Sequence, residues 1–187
     1  ITSMMHSMPN PTAQQTRRDA LTSGFARVEY QREHSLYFMG VGIAERFPDY
    51  WEMFAKESVE SKSAFYVLPE TNTQWDAGWL YRNNPWQVSA SVFVSDVDDF
   101  IVIDYQRHMK TSGVAFNTDA RTYGGEISAS YKWQSGWQLE GSVAHTQGED
   151  KATGRPLPQI SPTEGRLALN YVANDWHYGL LWRLVDS

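Results

Sequence analysis

The feature that most constrains this chain is an apolar–polar alternation of period two that recurs from end to end. From Tyr123 to Trp133, Gly125, Ile127, Ala129, Tyr131 and Trp133 share one face, with Glu126, Ser128, Ser130 and Lys132 on the other. Trp137, Leu139, Gly141 and Val143 oppose Gln138, Glu140, Ser142 and Ala144 in the next segment. The same pattern runs through Phe25–Tyr30, Gln74–Arg82, Trp86–Ser95, Arg166–Tyr171 and Trp176–Leu184. Leu36–Ala44 is apolar on both faces, and its orientation stays open at this level. Side chains alternate across a strand, so each segment predicts a strand with one greasy face. The total is about eight strands of roughly 9–11 residues, the length a tilted strand needs to cross a bilayer.

Charge placement and loop lengths say which face is outward. In the seven oriented segments the charges share a face with small polar residues, and the other face carries none. The connections alternate strictly. Gln31–Ser35, Asn83–Pro85, Gln134–Gly136 and Asn174–Asp175 are short, whereas Glu45–Thr73, Asp96–Thr122 and Gly148–Thr163 are long. A soluble sandwich has no reason to keep that alternation. Membrane barrels do, with short turns at one rim and long loops at the other.

Composition then finds its place. The chain has 187 residues, no cysteine, a formal charge of −6, and 8 Trp, 10 Tyr and 8 Phe. Tyr30 and Tyr37, Tyr81 and Trp86, Trp133 and Trp137, and Tyr171 and Trp176 flank the four short turns. Those eight rings form one belt at one end of the strands, where amphipathic rings favour a membrane–water interface. The acidic balance argues against a nucleic-acid partner. The lack of cysteine excludes a disulfide framework and a thiolate nucleophile within these residues. No G-x-S-x-G elbow, H-E-x-x-H helix or P-loop occurs, so no catalytic grouping is expected.

Several stretches resemble the TonB-dependent receptor family. Gly40–Glu52, which contains Glu45-Arg46-Phe47-Pro48-Asp49-Tyr50-Trp51-Glu52, resembles the end of a strand before a long outer loop. Leu68-Pro69-Glu70-Thr71-Asn72-Thr73-Gln74-Trp75-Asp76-Ala77-Gly78 resembles the family's entry to the next strand. Ser91–Phe93 with Val97–Ile101, and Gly124–Ile127, resemble two further segments in the same order. The resemblance implies an all-β, antiparallel up-and-down transmembrane β-barrel. About eight of its roughly 22 strands would be present, as one partial barrel domain over residues 1–187, with plug and C-terminal strands lying elsewhere. It implies a bacterial outer-membrane location, contact with outer-membrane lipid, and a TonB-type energy-coupling protein acting through the plug.

The form of the 45–52 stretch is most similar to the family's copper-receptor subgroup. That subgroup holds copper with an H-x-M pair from an outer loop and a C-x-x-x-M pair from the plug. His6 and Met8 stand at the H-x-M position, before a barrel strand; the plug pair has no counterpart here. The residue chemistry fits. Thioether sulfur is soft and selects Cu(I), and imidazole binds copper readily. Residues i and i+2 of an extended segment project to one side. Met4 and Met5 add two thioethers, making three methionines and a histidine within five residues. Copper is thus the expected transported ligand, and His6 and Met8, with Met4 and Met5 beside them, are the candidate metal ligands. A receptor for an iron–siderophore or another metal chelate fits the barrel motifs equally, and a complete eight-stranded barrel is a third reading. His108-Met109, His34, His145, His177 and the acidic run Asp96, Asp98, Asp99 and Asp104 read as solvated or structural groups.

Overall fold

A computed structural model describes residues 12, 15–54, 64–104, 114–158 and 160–186. Eight antiparallel strands follow one another in a single sheet ordered β1 to β8 without a crossover. They are β1 (Ser23–Arg32), β2 (Ser35–Arg46), β3 (Glu70–Asn83), β4 (Trp86–Asp104), β5 (Val114–Lys132), β6 (Trp137–Asp150), β7 (Glu164–Ala173) and β8 (Trp176–Val185). Among the described residues, one short helix, α1 (Tyr50–Phe54), lies in the connection between β2 and β3. Each of β1 and β8 is paired on one side only, so the sheet is open with two edges. Among the described residues no helix is long and apolar enough to cross a membrane.

Register settles the faces. Val28, Met39, Ala77, Val92, Gly125 and His145 stand in one row across six strands. Tyr30, Tyr37, Trp79, Ala90, Ile127, Val143, Gly165 and Leu184 form the next such row across all eight. The apolar side chains of these rows are largely uncovered, Ile127 at 54% and Leu184 at 74%. The pairing also orients Leu36–Ala44. Tyr37, Met39, Val41 and Ile43 join the apolar face, while Phe38, Gly40 and Gly42 join the polar one. Phe38 lies where a Cβ on Gly78 would stand, and Arg27 rests over its ring at 4.0 Å. Gly78 is thus a notch for an aromatic ring on the inner wall.

Polar side chains of the inner wall, which stand among Leu36, Leu80, Phe93 and Leu181 on the same face, are hydrogen-bonded to one another. Ser89 and Ser128 share a 2.6 Å bond between hydroxyls, and the Ser95 hydroxyl donates to Asn72 at 2.6 Å. Arg27 pairs with Glu29 at 2.7 Å, and Glu164 accepts from both Arg166 and Arg183. A sheet that is greasy outside and wet inside inverts the usual order of a globular protein. It is stable only when hydrocarbon covers the outside and the edges are paired.

The short-turn end carries the rings. Tyr30 and Tyr37 stack across the first hairpin at 6.4 Å. Trp86, Tyr131 and Trp133 form a chain of edge-on contacts at 4.7 and 4.6 Å, and Trp137 lies 4.6 Å from Tyr171. Trp79, Tyr131 and Tyr178 thus extend the belt beyond the eight rings that flank the turns. Gly136, at φ +92°, makes the third turn possible: a Cβ there would meet the Val172 carbonyl oxygen at 2.5 Å.

The long connections are more ordered than the sequence pattern predicts. The alternation predicts a loop over Asp96–Thr122, yet β4 runs on to Asp104 and β5 starts at Val114. Each of these strands has 19 residues, about nine more than a crossing requires. The continued hairpin carries a bulge between Val97 and Phe100, which breaks the period-two pattern and hides the strand from an alternation test. Likewise β6 reaches Asp150 and β3 begins at Glu70. Beyond the crossing, charge reaches the outward face, with Asp96, Arg121 and Glu149 sharing a row. Buried apolar side chains cluster at this end, in two small groups. Met53, Val67, Ile101 and Ala115 form one; Val97, Ala120 and Leu157 form the other.

The two faces predict opposite responses to charge. Ile127→Arg, on the outward face near mid-crossing, should cost about 2–4 kcal/mol of folding stability in a bilayer. Ser91→Arg, on the inner wall directly opposite Glu126, should be tolerated. Unfolding titration of the intact protein in lipid, read by heat-modifiable gel mobility, checks the contrast.

Candidate metal-binding rim

The candidate metal ligands precede β1, so the chain enters the sheet at the long-loop end. His6 and Met8, with Met4 and Met5, lie outside the described residues, as do His108 and Met109. The rim onto which their segment leads is well defined. Its centre is Arg46, the last residue of β2. Its guanidinium donates to Glu70 at 2.7 Å and, through two further nitrogens, to both oxygens of Glu52 at 3.0 Å. The bonds to Glu70 and then Glu52 raise the Arg46 pKa above its ordinary value, so the group stays charged.

Each partner of Arg46 ties down another segment. Glu70 is buried, and its second oxygen accepts from the Ile101 amide at 2.8 Å, joining β3 to the β4 extension. Glu52 accepts from the Asp49 amide at 2.6 Å and so closes the first turn of α1. Glu45 performs the same service for β1, accepting from the Thr22 amide at 2.6 Å while its own amide donates to the Thr22 carbonyl at 3.2 Å. Asn117 of β5 accepts from the Leu68 amide at 2.7 Å and donates to the carbonyls of Leu68 at 3.1 Å and Asp99 at 2.6 Å. The Glu45-Arg46 to Glu52 stretch and Glu70, which carry the family resemblance, are therefore the parts of one clamp. Charge-assisted bonds are the strong class, and here they hold α1, the start of β3 and the β4 extension together.

Asp96, Asp98 and Asp99 of the acidic run are committed to structure. Asp96 binds Arg121 at 3.0 and 3.2 Å and Lys151 at 3.1 Å, and Asp98 lies 3.6 Å from Lys151. Asp99 sits in the bulge at φ 56°, with its amide on the Asp119 carboxylate at 3.3 Å. Burial, then the nearby Asp119 and Asp98 carboxylates, push its own carboxyl up. Among the described residues no three His, Cys, Asp or Glu side chains are grouped to hold a metal ion. His34 packs edge-on against Tyr81 at 6.4 Å, and His145 bonds to the Thr163 hydroxyl at 2.7 Å. His177 lies level with Val172 on the inner wall.

The connection from β6 to β7 folds back on the barrel mouth. Leu157 and Ile160 pack with Val97, Ala120 and Phe100, and Ala120 is wholly covered. Asp150 organises the turn that makes this possible. It accepts from the Thr118 hydroxyl at 2.8 Å, the Ala152 amide at 2.9 Å and the Thr153 amide at 2.8 Å. The Thr118 bond first, then the Thr153 amide, holds its carboxyl below the usual range.

An eight-stranded open sheet with a lipid-compatible exterior, a polar inner wall, ringed short turns and a clamped loop rim defines part of a transmembrane barrel of receptor type. The chain belongs to the family described as "TonB dependent receptor-like, beta-barrel", whose sequence profile matches residues 7–187. That family comprises receptors and transporters, not enzymes. Among solved structures, a chain titled "Copper transporter OprC" is 43% identical, with a TM-score of 0.88 over 96% of this chain and 28% of that one. The FrpB iron transporter from Neisseria meningitidis (F3-3 variant) is 20% identical, with a TM-score of 0.63 over 86% of this chain and 26% of that one, and shares the fold. No curated protein sequence matches. The chain thus spans little more than a quarter of the length of either solved relative.

Two outcomes test this rim. Arg46→Ala leaves the buried Glu70 carboxylate without its cation and should cost about 1–3 kcal/mol of local stability. Hydrogen exchange in the intact protein should then rise at the Ile101 amide and across residues 49–54, with the crossing strands unchanged. Asp150 gives a pH dependence. A depressed carboxyl stabilises the fold while ionised and loses that contribution as pH falls through its lowered folded value. Protection of the Ala152 and Thr153 amides should therefore persist through the ordinary Asp range near pH ~4 and vanish only below it. Asp150→Asn should weaken it already at neutral pH.

Proposed function

We propose that this chain is part of the barrel of a bacterial outer-membrane receptor that binds copper from outside and imports it. The carrying observation is the 43% identity, over 96% of this chain, to a solved copper transporter. The segment Met4-Met5-His6-Ser7-Met8 supports it through its ligand chemistry, since thioethers and imidazole together favour copper over the hard cations. His6 and Met8 are the proposed ligands, with Met4 and Met5 as auxiliary thioethers. Copper is the cargo of this receptor.

In this reading residues 1–187 are one domain, part of a barrel of about 22 strands. The edges at β1 and β8 support that arrangement, because unpaired backbone groups are not tolerated in hydrocarbon. A plug within the closed barrel supplies any thiolate ligand and receives the TonB-type coupling protein that drives release inward. The polar inner wall, with its Arg27–Glu29 and Glu164–Arg183 pairs, suits contact with such a polar plug.

The test is a copper titration of the intact receptor. His6→Ala together with Met8→Ala should weaken affinity at least about tenfold, equivalent to about 1.4 kcal/mol. Unchanged affinity would remove the site assignment. Metal analysis of the purified protein separates this reading from an iron-chelate receptor: copper without an organic chelate supports it, and iron with a bound chelator overturns it.

A further inference from the structure

The lipid-facing side of the sheet continues upward beyond the bilayer, and there it is covered by a shelf of chain. Trp75, Val94 and Tyr123 form the last uncharged outward row, and Asp96 with Arg121 belongs to the first charged one. On β5, Tyr123, Arg121, Asp119, Asn117 and Ala115 share a face at every second residue. Pairing sets Ile101 opposite Asn117 and Ile103 opposite Ala115, on that same outward side. Met53 of α1 and Val67 are buried against Ile101 and Ala115. Asn117 fastens Leu68 through its amide at 2.7 Å and its carbonyl at 3.1 Å. Arg17 holds the same segment by donating to the carbonyl oxygens of Phe65, at 3.0 Å, and Val67. α1 and residues 64–68 are thus fixed to the outside of the barrel wall.

The far side of this shelf is aromatic and bare. Phe65 and Val67 are buried, whereas Tyr66 and Leu68 between and beyond them are exposed. Trp51 stands two residues from the buried Met53, about 200° round a helix, and so points away from the wall. Trp51 and Tyr66 are each 70% uncovered. Rings connect them without a break: Trp51 to Tyr50 at 5.7 Å, Tyr50 to Phe54 at 4.9 Å, Phe54 to Phe65 at 5.7 Å and Phe65 to Tyr66 at 5.2 Å. Glu52, the acidic residue of α1, is turned back onto Arg46. A contiguous exposed apolar patch of this kind marks a contact surface.

We propose that this shelf docks on the saccharide layer of an outer-leaflet glycolipid; the proposal rests on the outer-membrane reading above. The argument is height. Asn117 and Ala115 lie four and six residues beyond Arg121 on β5. A strand that rises about 3.4 Å per residue and tilts by about 40° carries them about 10–16 Å above the first charged row. Phospholipid headgroups add only about 5–8 Å per leaflet, so they end below the shelf. What surrounds a barrel at that height is the carbohydrate of a glycolipid. Sugar rings present C–H faces edged by hydroxyls, which match an aromatic body with a polar tip. The shelf therefore forms the upper counterpart of the ring belt at the short turns, carried by a loop because the strands there have left the hydrocarbon.

The test places the intact receptor in three kinds of vesicle: phosphatidylethanolamine alone, the same lipid with lipid A, and the same lipid with lipopolysaccharide bearing its core sugars. Hydrogen exchange at residues 50–54 and 64–68 should slow only in the third, while the turn at Trp133–Trp137 on the opposite rim exchanges alike in all three. Trp51→Ala with Tyr66→Ala should raise the mole fraction of lipopolysaccharide needed for half-protection at least about fivefold. Trp51→Phe with Tyr66→Phe keeps the rings but not the Tyr66 bond to Gln15, and should retain the protection. Heat-modifiable mobility reports insertion of each variant. Equal protection by lipid A would overturn the saccharide as partner. An inserted receptor protected in none of the vesicles, or a double alanine variant protected like the parent, would overturn the docking surface and leave the outer-membrane reading standing. Failure to insert into any vesicle would overturn both.

Discussion

The constraint on which everything else rests is the pairing of backbone amides and carbonyls across the sheet. Hydrocarbon offers no alternative partner, so each of β2 to β7 takes its bonds from both neighbours. That demand sets the antiparallel order from β1 to β8 and, with the side-chain period of two, decides which residues meet lipid. A one-residue slip in β5 would carry Ile127 inward and Glu126 outward, a change the bilayer opposes by several kcal/mol. The register is therefore held by solvent as much as by contacts within the sheet.

Outside the bilayer the protein reverts to ordinary rules. Among the described residues, two compact apolar clusters lie at the loop end, where water surrounds the chain and burial again lowers free energy. Arg46 stands at the junction of the two regimes, joining the last residue of a crossing strand to α1 and to the start of β3. The β4–β5 extension stays paired above the membrane because its edges are covered by the 64–70 segment and by the folded β6–β7 connection.

Much of this was legible in the residues. The short turns, the ring belt and the lipid face follow from alternation and loop length, and all eight strands stand where the pattern places them. The polar end of each strand was harder. Bulging at Asp98-Asp99 disrupts the alternation, so the pattern ends β4 near Ser95 when pairing continues to Asp104. Leu36–Ala44 could not be oriented from its own composition, because Phe38 is an aromatic on the inner wall, sheltered by Gly78 and Arg27 from neighbouring strands. The rim residues were visible as a motif, Glu45-Arg46 with Glu52 and Glu70, but not as a clamp. Arg17 carried no signal of its long-range role, for the main-chain carbonyls it serves lie 48 and 50 residues away.

By itself, then, the sequence determined the class of object, because period, loop length and ring placement are local properties that a bilayer reads directly. It also determined the soft, thioether-rich composition of the segment before β1, which is a matter of residue identity. Only the tertiary structure decided which main-chain carbonyls Arg17 serves, which charges are tied to one another, and how far β4 and β5 rise above the crossing. Those are relations between residues distant in the chain. They depend on strand register, and register is a property of the assembled sheet that no single stretch of residues contains.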